Sequence, residues 1–412
     1  MNPAAPHPAM RYWPLVLAAT AMLMITMGVR QSMGLFVAPI GRSTGLGIAQ
    51  ISFALAIGQF VWGAVQPVFG AIADQRGPGR VLVAGGILLA AGMMLAPMLP
   101  SEWGLLLTLG VLSAAGAGAG SFSILIGATA QHMPAEKRSM AAGVINAGGS
   151  FGQFVFAPLV QAVIAAAGWA AAMWTLAVSA LLTLPLAWPL RRRHSDSDAV
   201  NVPRAEANAG PSLREQLRIA VRDRSYWMLH LGFFTCGVHI AFLVTHLPGE
   251  IALCGLPASV SAVSLALIGL FNVGGSLAAG WLGQRVRMKY LLAAMYASRA
   301  VMIAIYLVSP PTPLTFFVFS AGLGLTWLAT VPPTAGLVGK LFGPRYLGTL
   351  FGLTLLSHQI GGFFGAWVGG LVLERFGDYS WMWYADMVLA LAAAAANLPI
   401  RESRPVLQPA AA

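Results

Sequence analysis

Apolar stretches of about 20 residues, the length that crosses a bilayer as a helix, recur twelve times along this chain of 412 residues. They fall at about 12–40, 49–73, 81–100, 103–131, 139–165, 168–190, 226–250, 258–283, 290–308, 313–340, 346–372 and 379–399. Hydrocarbon offers no hydrogen-bond partner, so each such stretch must satisfy its own backbone and becomes a helix. Composition agrees: 58% of the residues are hydrophobic and 9% charged, more apolar surface than a soluble domain can hide. The expected fold is an all-α integral membrane protein of twelve transmembrane helices, its surrounding partner the lipid bilayer.

A net charge of +11 would suit nucleic acid, but its distribution excludes that partner. All but four of the 24 Lys and Arg lie on one side of the expected membrane. Arg42 and Arg375 lie on the other side, and Arg30 and Arg299 fall inside helices. Such bias places the basic side in the cytoplasm. Both termini are therefore expected there, in the inner membrane of a bacterial cell. The first apolar run exceeds a signal-peptide core and is read as a retained helix. Cys236 and Cys254 have no metal-ligand spacing and are read as free thiols.

One long polar segment, 191–225, opens with RRRH, turns to Ser, Asp, Asn, Ala and Pro, and ends in the helical pattern REQLRIAVRDR. It divides the chain into an N-terminal six-helix bundle at 1–190, a cytoplasmic linker at 191–225 and a C-terminal six-helix bundle at 226–412. The halves repeat. Adding 209 to a position carries Gly28-Val29-Arg30 onto Gly237-Val238-His239, Pro39 onto Pro248, Gly143 onto Gly352 and Gly152 onto Gly361. GAIADQR at 70–76 matches GWLGQRV at 280–286 one residue out of that register. Coincidences at one offset indicate duplication, a frequent construction in transporters.

At this point the chain resembles the major facilitator superfamily over essentially its whole length. The most specific match is GAIADQRGPGR, where Gly70, Asp74, Arg76, Gly77 and Arg80 correspond to the superfamily's signature loop after the second helix. Gly70 is expected to allow close helix contact, Asp74 to face a helix N-terminus or an arginine, and the arginines to anchor at headgroups. The resemblance implies a loop that latches the halves in one conformation and releases them in another. GVRQSMGLFVAPI and EKRSMAAGVINAGGSFGQ resemble the monocarboxylate and oxalate-formate transporter branch. That branch implies a basic residue in the first helix that meets an organic anion, and proton coupling. Two departures stand out: the fourth helix has no arginine partner, and the eighth has Asn272 and Ser276 where the branch often has an acid or Asn followed four later by Arg.

Arg30 is the strongest site candidate. A charge near the middle of a membrane helix is costly unless it meets a partner or a polar cavity, and the guanidinium fork matches a carboxylate with two parallel hydrogen bonds. Arg299, central in the ninth helix, is a second anion ligand or an interhelical tie. His239, the repeat partner of Arg30, and His358 in the eleventh helix are candidates for lining the same cavity, with Asn272 supplying an amide. His239, His246 and Asp386 are the proton-coupling candidates, Asp386 being the one acid placed clearly inside a span. For each histidine, packing is the alternative role, and His230 is read as interfacial. Glycine runs at 114–121 and 361–370 are read as packing surfaces.

Walker, dinucleotide and HExxH motifs are all absent from the sequence, as is any converging nucleophile or metal cluster. No enzyme activity, metal or cofactor is expected. The expected function is secondary transport of a small organic anion, a monocarboxylate first, by alternating access of two bundles in a monomer, with protons as the coupling partner. Drug or metabolite efflux by proton antiport is the alternative, disfavoured because the first six spans carry no carboxylate to attract a cation.

Overall fold

The computed structural model describes residues 13–130, 135–191, 212–283, 285–343 and 346–402, without the side chains at 71, 74, 75, 130, 135–140, 347 and 348. The described residues are almost all helical, and no strand occurs among them. Divided at their turns they form twelve long stretches. The first is Trp13–Thr44, tightened to a 3₁₀ turn at Met33–Phe36, followed by Ile48–Arg76, Pro78–Met98 and Glu102–Thr129. The fifth and sixth run together as 135–190, bent at Gly168, whose φ of 82° is open to glycine. Then come Arg224–Leu253, Ala258–Leu282, Met288–Val308, a tenth stretch broken into Pro313–Gly324 and Val331–Phe342, Leu347–Phe376 and Ser380–Asn397. Among the described residues eight helices, counting the joined pair as one, are long and apolar enough to cross a membrane by length and composition. Of the rest, the tenth stretch is cut short by its turn, while the eleventh and twelfth carry His358, Gln359 and Asp386.

Apolar and polar residues are distributed as a lipid solvent demands. Large apolar side chains such as Trp103, Val308, Leu314 and Val388 are exposed on the outside. Gln59, Gln66, Asn146, Gln153, Asn272 and Gln359 are buried within. Of the expected linker, 192–211 lies outside the described residues, while its last part forms the helix Leu213–Arg222, capped by Ser212 Oγ accepting from the Glu215 N–H at 3.3 Å.

Glycines set the close packing, and here the internal repeat is visible in three dimensions. A Cβ on Gly152 would lie 2.0 Å from the Met24 carbonyl oxygen, fixing the fifth helix against the first. Its repeat partner Gly361 stands in the same relation, 2.0 Å from the Phe234 oxygen, fixing the eleventh against the seventh. Small residues let helix backbones meet where no side chain could fit. The glycine runs at 114–121 and 361–370 behave alike: Cβ atoms on Gly116 and Gly365 would fall 2.2 Å from the Leu89 nitrogen and the Val238 oxygen.

Three seams join the halves. Helices one and seven meet at Gly34, where a Cβ would fall 1.9 Å from the Val244 carbonyl oxygen. Helices two and eleven meet along their length, from the Ala49 N–H on Glu374 Oε1 at 2.9 Å to Gly63 against Gln359. Helices five and eight carry the same five-residue pattern, NAGGS at 146–150 and NVGGS at 272–276. The two copies pair reciprocally: Asn146 Nδ2 donates to Ser276 Oγ at 2.9 Å, and Asn272 Nδ2 to Ser150 Oγ at 2.6 Å.

Candidate functional site

Arg30 ends the last turn of the first helix before Ser32 and the 3₁₀ turn interrupt it. Its Nη2 donates to Gln59 Oε1 of the second helix and, at 2.9 Å, to Gln359 Oε1 of the eleventh. The guanidinium carbon sits 4.3 Å from the ring centroid of Trp62. All three partners are neutral. Among the described residues the carboxylates that meet a basic side chain are those of Asp386 with His239, Glu402 with Lys340 and Asp223 with Arg401, so Arg30 has no carboxylate. Amide oxygens and an indole face solvate the charge without cancelling it.

A narrow cavity of ≈ 40 Å³ lies beside the guanidinium, lined by Arg30, Met33, Gln59, Ser113, Val244 and Thr245 among others. A single water needs about 10–15 Å³ measured this way, so the space holds a few waters. The fourth helix reaches this cavity through a π-helical stretch, Leu106–Ser113, a widened geometry frequent at functional sites. Nothing in its sequence announced it.

The other candidates are placed elsewhere. His239 is 1% exposed and does not line this cavity; its Nδ1 bonds Asp386 Oδ2 at 2.5 Å, inside the second half. Asp386 is thus engaged by His239, and its Oδ1 has no hydrogen-bond partner among the described residues. Arg299, also 1% exposed, donates to the Thr326 and Trp327 carbonyl oxygens at 2.6 and 2.7 Å and to Cys236 Sγ at 3.1 Å. Those carbonyls belong to the turn that breaks the tenth helix, so Arg299 satisfies a helix end, the site where a cation is favoured. Asn272 serves the same turn from the other side: its Oδ1 accepts the Leu328 N–H at 3.0 Å while its Nδ2 holds Ser150. Both amide atoms are used in packing.

His246 is also fully occupied, with Nε2 on the Ala366 carbonyl oxygen at 2.7 Å and Nδ1 beside Tyr379 Oη at 3.2 Å. His230 bonds Ser357 Oγ at 2.5 Å. His358 is buried behind Gln359, with Nδ1 2.6 Å from Gln359 Nε2 and its ring 4.8 Å from Phe233. Glu250, at the edge of its expected span, lies within the seventh helix and accepts from Tyr306 Oη and, at 3.3 Å, from Trp383 Nε1.

In the signature loop, Gly77 turns with φ 85° and its N–H closes on the Ala73 carbonyl oxygen at 2.9 Å; Arg76 and Arg80 are exposed. The Asp74 side chain lies outside the described residues. Gly70 departs from expectation. A Cβ there would meet nothing within 4 Å, and the close approaches occur instead at Gly34 and Gly63, where the halves touch.

Gln59, Trp62 and Gln359 are the site residues that sequence reasoning missed. For the two glutamines the signal was a polar side chain inside an apolar span, the criterion that picked out Arg30, whereas Trp62 carried no such mark.

Comparison with known proteins agrees with this architecture. The chain is 29% identical over 377 residues to monocarboxylate transporter 13 of Rattus norvegicus, covering 89% of this chain and 84% of that one. It is 25% identical over 371 residues to the oxalate:formate antiporter of Oxalobacter formigenes, covering 89% and 86%. Among solved structures, a bacterial homolog of the human lysosomal transporter Spinster, inward-facing and unoccupied, superposes with a TM-score of 0.69 at 15% identity over 95% of each chain. That last likeness concerns the fold. The Major Facilitator Superfamily model matches residues 17–366, and with duplicated halves meeting around a membrane-embedded arginine, the chain belongs to that superfamily of multi-pass membrane transporters.

Proposed function

We propose that this transporter carries a small organic anion, a monocarboxylate first, by alternating access, with Arg30 as the anion's ligand and protons as the coupling ion. The observation that carries the reading is the environment of Arg30. A permanent cation sits where both halves meet, beside a cavity, with neutral partners alone among the described residues. A buried charge without a counter-ion is costly, and a carboxylate guest supplies the missing one through two parallel hydrogen bonds. The names of the relatives support the substrate class, and the small cavity favours a compact anion. Units 1–190 and 226–412 are the bodies that rock, joined by 191–225, with both termini in the cytoplasm of a bacterial cell and the loop around Gly77 at the cytoplasmic mouth.

The test is thermal stabilisation of the purified chain by formate, lactate, pyruvate and oxalate, with tetraphenylphosphonium as a lipophilic cation. Carboxylates are expected to raise the unfolding midpoint of wild type and to leave Arg30→Ala unmoved. Stabilisation by the cation and by no acid would overturn the proposal in favour of efflux.

A further inference from the structure

Arg30 is linked to His358 through one amide. Arg30 Nη2 donates to Gln359 Oε1 at 2.9 Å, and Gln359 Nε2 lies 2.6 Å from His358 Nδ1. Chemistry fixes the order of atoms along this chain. A guanidinium has donors and no acceptor, so the Gln359 atom facing it is oxygen. The amide nitrogen therefore faces His358, and because it too can only donate, Nδ1 must be the unprotonated acceptor. Gln359 is 1% exposed and His358 6% exposed, so no bulk water breaks the connection. The stem of Gln359 lies over Gly63, where a Cβ would fall 2.5 Å from Gln359 Cβ.

We propose that Gln359 is a donor–acceptor switch that couples arrival of an anion at Arg30 to uptake of one proton on His358. This rests on the reading of Arg30 as the anion ligand. A carboxylate that takes the Arg30 N–H groups displaces Gln359 Oε1. Turned half a revolution about its last side-chain torsion, the amide donates Nε2–H to the incoming carboxylate and presents Oε1 to His358. An oxygen there is satisfied when Nδ1 carries a proton; with Nε2 keeping the hydrogen it holds while Nδ1 is bare, this second proton comes from solution and gives the imidazolium, the carboxylate stays ionised, and no covalent bond of the anion breaks. The mixed arrangements are disfavoured: a turned amide against a bare Nδ1 sets two acceptors face to face, and an unturned amide against a protonated Nδ1 sets two donors.

Charge works in the same direction. An imidazolium beside a bare Arg30 places two cations in one buried region, and an anion on Arg30 offsets one of them. Among the described residues, the groups around His358 supply no competing carboxylate. The seventh helix brings Phe233 and the backbone of Gly237; its His230 is held by Ser357 and its His239 by Asp386. The ninth helix adds the charge of Arg299, and the first that of Arg30. Proton and anion therefore favour each other's binding at sites joined by Gln359.

The experiment measures lactate binding to the purified full chain by calorimetry, with proton uptake read by a dye in weak buffer. In wild type, affinity is expected to rise as pH falls, by up to about tenfold per pH unit for one linked proton, with about one proton taken up per anion by the same linkage. His358→Gln is expected to remove the proton uptake, and Gln359→Leu to remove the pH dependence of affinity. Gln359→Asn, one methylene too short to serve both partners, gives the same loss if the leucine variant fails to fold. Proton uptake that persists in His358→Gln, or wild-type binding with no uptake at all, would overturn the switch. Absence of lactate, formate and oxalate binding by wild type would instead refute the anion site, and the switch with it.

Discussion

Replacing Gly34 with alanine tests whether contact between the first and seventh helices sets the resting conformation. The added Cβ would fall 1.9 Å from the Val244 carbonyl oxygen, 3.0 Å from its carbon and 3.1 Å from the Thr245 oxygen. A tolerated C···O approach is about 3.3 Å, so the helices must part by roughly 1.4 Å at this point. The obstructing atom is helical backbone and cannot rotate away. Overpacking of this kind costs about 1–3 kcal/mol, which corresponds to a shift of about 5- to 150-fold in a two-state equilibrium. Gly34 lies one turn beyond Arg30, and Val244 and Thr245 line the same cavity, so separation here opens the cavity on this side. The assay uses a cysteine at position 245 in a background lacking Cys236 and Cys254, labelled with a membrane-impermeant maleimide. Gly34→Ala is expected to speed labelling by a factor in that range and to slow anion uptake. Unchanged labelling and uptake in a folded variant would refute the reasoning.

Arg30→Lys keeps the charge but loses the fork, so anion affinity measured by calorimetry is expected to fall about 10- to 100-fold, the worth of one charge-assisted hydrogen bond. Arg30→Gln is expected to abolish uptake. Asn272→Leu strands the buried Leu328 N–H and leaves Ser150 Oγ with its bond to the Asn146 carbonyl oxygen alone; at about 1–3 kcal/mol for a stranded group, the thermal unfolding midpoint is expected to drop even though no anion ligand is touched. Asp386→Leu leaves Arg299 and His239 without their nearby carboxylate and is expected to destabilise by about 3–5 kcal/mol. The double variant His239→Leu/Asp386→Leu is expected to recover part of that loss in the same melts. Additive losses would show that the pair is not coupled.

Helix placement was legible because hydropathy acts locally: the seventh stretch, expected at 226–250, runs Arg224–Leu253. Arg30 was legible for a similar reason, a permanent charge in an apolar run. Its partners were not, because Gln359 lies 329 residues away and a buried amide leaves no periodic mark. The break in the tenth helix was hidden inside one continuous apolar stretch, although Pro332 and Pro333 follow it directly. Without that turn the carbonyls that occupy Arg299 could not be foreseen, and Arg299 read equally as an anion ligand or an interhelical tie. The NxGGS pair escaped notice because its copies stand 126 residues apart, on helices the 209-residue repeat does not superpose. Their relation is one of contact between halves.

Under the switch proposed for Gln359, the tie between Arg30 and Gln359 joins the first helix to the eleventh only until a guest takes its place. An empty carrier must tear this bond before it can turn, whereas a loaded one has already released it. Return without cargo is then the slow stroke of the cycle. Swapping one anion for another should outpace one-way flux, and labelled solute trapped in vesicles should drain faster when unlabelled solute waits on the far side.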